Sequence, residues 1–214
     1  MSDKTKSFRQ KETTRLEAFS DGVFSIAITL LVLELISTLH PASEEGIIAT
    51  CLEHWRSFLA FFIGFVTILV CWLNHHLALE YVKKIDTRFI WINGFLLFVV
   101  TLTPFPTAIL AEYLEKEGTT AMAIFGFNYF LIAVAADRIC SYAYRHHLID
   151  ETDRKFYSAY KQIYRISIVY TLLAFFICFV SVVAAVILYL FLFIAFASPK
   201  ELAMRLERLR MKKH

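Results

Sequence analysis

The chain has 214 residues, 58% of them hydrophobic, with 21 Phe and only 4 Pro, and its mean hydropathy is +0.57. That composition belongs to the membrane class and leaves no polar tract long enough for a separate soluble domain. The formal charge of +3 is spread over short, separated basic segments, which excludes a continuous face for nucleic acid.

A helix needs about 20 apolar residues to cross a hydrocarbon core of roughly 30 Å. The first predicted span covers residues 16–39. It follows a polar, basic arm and no small-residue cleavage site follows it, so it reads as a retained span and not a signal peptide. The next spans are predicted over 57–79, 89–111 and 118–144. Pro104 and Pro106 predict a break or kink near the end of the third. Asp137 and Arg138, at the end of the fourth, read as an interfacial pair with Arg138 snorkelling. Residues 166–199 carry no formal charge. As one helix they would measure about 51 Å, too long for one crossing, so two spans are predicted over 163–181 and 182–199, with a tight turn near Ser181.

Charge placement sets the orientation. Lys and Arg number five in residues 1–15, three between spans two and three, six between spans four and five, and six from Lys200 onward. The other two connections hold only Arg56 and Lys116 but six glutamates, from Glu44 to Glu117. This is a positive-inside pattern that puts both termini in the cytoplasm and requires an even number of crossings. The expected fold is all-α: one polytopic membrane domain over 1–214, with six transmembrane helices per subunit and a basic cytoplasmic tail at 200–214. Residues 40–56 are expected on the outer surface. Leu202, Leu206 and Leu209 in the tail suit either an anionic lipid surface or a plain helix end.

The four cysteines, Cys51, Cys71, Cys140 and Cys178, form no C-x-x-C pair and no cluster with histidine. They read as small buried hydrophobes. No nucleophile–base or metal constellation stands out, so no enzyme, cofactor or metal site is expected. His75 and His76 are adjacent and point about 100° apart on a helix, with no third ligand in sequence reach. Asn74 and Asn93 read as interhelical hydrogen bonders.

Most of the chemistry sits in the first span, Arg15–Leu35, RLEAFSDGVFSIAITLLVLEL. An ionisable group within a span costs roughly 2.5–3.5 kcal/mol on insertion scales, so Arg15, Glu17, Asp21 and Glu34 need reasons. Thr14-Arg-Leu-Glu17 has the form of a capping box, which would start the helix near Arg15. Alternatively, Ser20–Asp21–Gly22 caps a helix that begins there. Ile26, Leu30 and Leu33 share one helical face, and periodicity alone reads that stripe as packing or lipid contact.

The string Arg15-x-x-x-Phe19-Ser20-Asp21, with the apolar run after it, resembles the signature of the transmembrane protein 175 family of potassium channels. Trp72-x-x-His75 and Pro104-Phe105-Pro106-Thr107 support the likeness. The resemblance implies a channel for potassium and other monovalent cations. One signature per chain matches the bacterial single-repeat form, which implies a homotetramer in the bacterial inner membrane. The first helix of each subunit would line a central pore constricted by Ile26, Leu30 and Leu33, with Ser25 and Thr29 as polar positions beside it. Arg15, Phe19, Ser20 and Asp21 would form a network that fixes this helix, with Trp72 and His75 as partners. The alternative is a proton-coupled secondary transporter using Asp21, His75 and Glu34 as relay groups. No T-V-G-Y-G string is present, so a carbonyl-lined filter is excluded and a hydrophobic gate is expected.

Overall fold

The computed structural model describes residues 3–38 and 46–211. Part of the expected outer segment, including Pro41, lies outside them, as do the side chains of Leu206 and Leu209. The described residues form helices α1 (Asp3–Thr38), α2 (Ile47–Glu53), α3 (Trp55–Glu80), α4 (Thr87–Thr101), α5 (Pro104–Tyr113), α6 (Gly118–Arg145), α7 (Arg154–Ile177), α8 (Val182–Phe196) and α9 (Pro199–Met211). Their extended pairing is limited to one isolated bridge, Val82 with Ile149. The fold is therefore all-α. Among the described residues, four stretches are long and apolar enough to cross a membrane: Glu12–Ile36, Trp55–Glu80, Thr87–Tyr113 and Gly118–Arg145.

One expectation is corrected at the start of the chain. The helix does not begin near Arg15 at a capping box, nor at Ser20, but runs unbroken from Asp3. Residues 3–14 contain no Gly or Pro. A capping motif acts only where the chain leaves helical geometry, and nothing here makes it leave. Glu17 instead faces His76 on α3, at 3.1 Å.

The third predicted span is helical over both halves but broken at Leu102–Thr103. Pro104 sits at the first turn of α5, where its missing N–H costs nothing. The buried Thr107 hydroxyl donates to the Thr103 carbonyl at 2.8 Å, and Asn128 Nδ2 donates to Thr103 Oγ1 at 3.1 Å. The break is thus satisfied inside the bundle. Further along, α7 ends at Ile177 and the chain turns into α8, where Ser181 Oγ accepts from the Ala184 N–H at 3.3 Å.

The basic connections gather at one end. Asp86 caps α4 by accepting the Phe89 N–H at 2.7 Å, while its other oxygen accepts from the Tyr142 hydroxyl on α6 at 2.8 Å. Partial burial pushes this carboxyl up, but the Phe89 N–H, the Tyr142 hydroxyl, His146 and the Arg88 N–H outweigh it and hold it below the ordinary value. Its folded value lies below its unfolded one, so its contribution is complete above about pH 4 and lost as acid protonates the folded carboxylate. Asp86→Ala is expected to lower stability by about 1 kcal/mol. Thermal unfolding in detergent at neutral pH checks this, and the gap to wild type should shrink as the pH falls below 4.

Two hydrophobic cores stack along the bundle. At the basic end Phe89, Leu96, Tyr157 and Tyr160 pack with Leu16 and Phe24 of α1. At the other end Ile63, Leu110, Phe125, Tyr189 and Phe193 form the second. Two polar-end expectations change here. Asp137 is not interfacial but buried, accepting from Ser141 at 3.3 Å. The tail helix α9 packs Ala203 fully into the first core, beside Leu202, so that part of the tail is covered by protein and not laid on lipid.

Candidate pore-helix site

Helix α1 has two unlike faces because its residues alternate between sealed and bare at helical spacing. Leu16, Ser20, Phe24, Ala27 and Leu31 are buried against α3 and α4. Ile26, Leu30 and Leu33 remain 60%, 41% and 62% exposed. At 100° per residue these three fall within about a 60° arc, centred roughly 110° around the helix from the buried set. Ser25 and Thr29 flank the stripe and are exposed. The Thr29 hydroxyl donates to the Ile26 carbonyl at 2.8 Å. Its proton is therefore turned into the helix, and its lone pairs face outward.

The buried face is tied down by polar contacts. Trp72 Nε1 donates to Asp21 Oδ1 at 2.8 Å. Asn93 Nδ2 donates to Ser20 Oγ at 3.0 Å, and Ser20 passes its own proton to the Leu16 carbonyl at 2.8 Å. Asn93 Oδ1 then lies 2.7 Å from His75 Nε2. With the amide nitrogen committed to Ser20, Oδ1 is the acceptor, so His75 carries its proton on Nε2. One chain of hydrogen bonds thus runs from α3 through α4 to α1. His76 stacks on Trp72, with ring centroids 5.9 Å apart, and completes this side with Glu17.

Of the six expected network residues, Ser20, Asp21, Trp72 and His75 meet in this way. Asn93 is the central link. Its polarity marks it in the apolar run WINGFLLFVV, but sequence does not reveal which groups it joins. Arg15 and Phe19 do not enter the chain of hydrogen bonds. Both are exposed, Phe19 by 63%, and border a surface groove with Asp86 and Ile90. The relay expected for a transporter is not assembled either. Glu34 lies exposed toward the other end of α1, about 20 Å from Asp21 by helical rise.

Close packing beside the site depends on one glycine. A Cβ on Gly64 would meet Thr107 Oγ1 at 2.8 Å and Leu31 Cδ2 at 3.2 Å. Glycine is what lets α3 approach both α5 and α1. Behind α3, a cavity of about 50 Å³ is lined by Asn74, His75, Thr67, Tyr164 and Ser167. Asn74 Nδ2 also donates to the Phe196 carbonyl at 3.0 Å, tying α3 to α8. Among the described residues no three His, Cys, Asp or Glu side chains are grouped to hold a metal ion.

This architecture and sequence have known relatives. A profile of the family described as Endosomal/lysosomal potassium channel TMEM175 matches residues 15–104. Potassium channel Cha6605_3372 of Chamaesiphon minutus is 42% identical over 177 residues, which is 81% of this chain and 87% of the relative. The crystal structure of a lysosomal potassium-selective channel TMEM175 homolog from Chamaesiphon minutus superimposes with a TM-score of 0.81 at 41% identity, covering 89% of this chain and 99% of the other. The Endosomal/lysosomal proton channel TMEM175 of Gallus gallus is 32% identical over 117 residues, 51% of this chain but 23% of its own length.

Proposed function

We propose, from the premise that this chain belongs to the Endosomal/lysosomal potassium channel TMEM175 family, that four copies surround a pore lined by the bare face of α1. The chain is a multi-pass membrane potassium channel and not an enzyme. The observation that carries the pore assignment is the unlike pair of faces on α1, one locked to its own subunit and one left exposed among the described residues. Ile26, Leu30 and Leu33 form the constriction, and aliphatic rings of this kind gate by dewetting. They cannot replace a hydration shell. Thr29, with its lone pairs outward, and Ser25 supply the oxygen contacts for a partly hydrated cation.

The assembly crosses the membrane six times per chain, with α7 and α8 as the last two crossings and both termini cytoplasmic. The cation split of 20 against two supports this orientation. The bacterial relatives support placement in a bacterial inner membrane. The hydrogen-bonded chain from His75 to Ser20, with the Trp72–Asp21 bond, holds the four gate helices in register.

The test is flux from liposomes loaded with potassium or sodium. Leu30→Ala is expected to raise potassium flux several-fold and lower the preference over sodium, while Leu31→Ala, on the buried face, acts through stability. Unchanged flux and preference in Leu30→Ala, in protein that elutes as wild type does, sinks the constriction assignment.

A further inference from the structure

A groove of about 610 Å³ runs along the outward face of α7, away from the buried face of α1. Lys161 and Arg165 line one end, with Ser158, and Ile166, Val169 and Leu173 line the other. Lys161 to Leu173 spans about 18 Å of helix, the scale of a headgroup followed by much of an acyl chain. The three aliphatic side chains are more than half exposed among the described residues.

The polar end is short of negative charge. None of Arg145, Lys161 and Arg165 makes an ion pair among the described residues. Lys161 Nζ rests 3.9 Å from the centroid of the Tyr144 ring, which also carries the Arg154 guanidinium at 4.4 Å. Partial burial and then the Arg165 charge hold Lys161 below the ordinary lysine value, with Arg145 adding to them, and Tyr144 and then Asp137 offset this only in part. Crowded like charges gain from an anion placed between them. An apolar strip continuous with that anion site favours an amphiphile over free phosphate, because both ends are then matched.

We propose that this groove binds an anionic phospholipid, its phosphate on Lys161 and Arg165 and an acyl chain along Ile166, Val169 and Leu173. On the orientation proposed above, the lipid belongs to the cytoplasmic leaflet. The site is separate from the pore helix, so its test does not depend on the pore assignment.

Native mass spectrometry of the full-length channel, titrated in detergent with phosphatidylglycerol or phosphatidylcholine, reads the binding directly. Wild type is expected to retain phosphatidylglycerol preferentially. Lys161→Gln with Arg165→Gln should weaken retention about thirtyfold, roughly fivefold per juxtamembrane cation. Val169→Trp should reduce it with the charges intact by filling the apolar strip. Lys83→Gln with Lys84→Gln, equally basic positions elsewhere at this end, should leave it unchanged. Equal retention of phosphatidylcholine, or no loss in either groove variant, overturns the proposal. Displacement of the lipid by inorganic phosphate alone would reassign the site to a free anion, and a lower subunit count in the groove variants would reassign the face to a contact between copies.

Discussion

Replacing Asn93 with Leu is expected to destabilise the channel by about 2–3 kcal/mol and to loosen α1 from the rest of the subunit. Asn93 is fully buried and joins Ser20 of α1 to His75 of α3. Leucine nearly preserves volume but strands the His75 Nε2–H and removes the donor to Ser20. A stranded buried group costs about 1–3 kcal/mol, whereas a hydrogen bond between membrane helices is worth only about 0.6 on average and 1.7 at most. Two bonds lost at the upper part of the membrane range give the stated figure. Ser20→Ala alone should cost less, since it leaves His75 paired. In the double variant the two losses should sum to less than the total of the singles, because both remove the same bond. Thermal unfolding in detergent measures the first effect and potassium flux the second. A shift in Asn93→Leu below about 0.5 kcal/mol would mean the chain of hydrogen bonds is not what holds α1.

The second large effect is expected at Gly64. Adding one methyl in Gly64→Ala brings a Cβ to 2.8 Å from Thr107 Oγ1 and 2.9 Å from Thr107 Cγ2. Thr107 cannot retreat easily, because it is buried and its hydroxyl holds the Thr103 carbonyl at the α4–α5 break. The flexible end of Leu31, at 3.2 Å, can yield. Overpacking of this kind costs about 1–3 kcal/mol. Thr107→Ala should rescue part of the loss in the double variant, though not all, since the Thr103 carbonyl then loses its donor. Melting of the two single variants and the double variant checks this. Additive losses with no rescue would place the strain elsewhere.

How much of this was legible beforehand depends on the kind of signal. Hydropathy runs are local sums, so the all-α class and the first four of the six expected spans follow from counting residues. The break at Pro104 was equally legible, because a missing N–H acts on its own backbone. The helix start was misread at Thr14, since a capping motif shows what a terminus would look like and not whether one occurs. The burial of Asp137 was also missed. A carboxylate near a helix end looks interfacial until α7 is known to pack over it.

The site divides in the same way. The string from Arg15 to Asp21 and the Ile26, Leu30 and Leu33 spacing were visible as letters, and the family resemblance supplied their meaning. Periodicity assigned the stripe to one face of α1 but was silent on which face the subunit itself would cover. That choice is tertiary: α3 and α4 bring Trp72, Asn93 and His75 to one side, and their polar groups must be satisfied there. The sequence by itself determined the membrane class, the helical order and the positions of the charges, because those depend on residues near one another in the chain. Only the three-dimensional packing decided which face of α1 is locked and which is left bare, because that rests on Ser20 and Asn93, seventy-three positions apart, meeting at 3.0 Å.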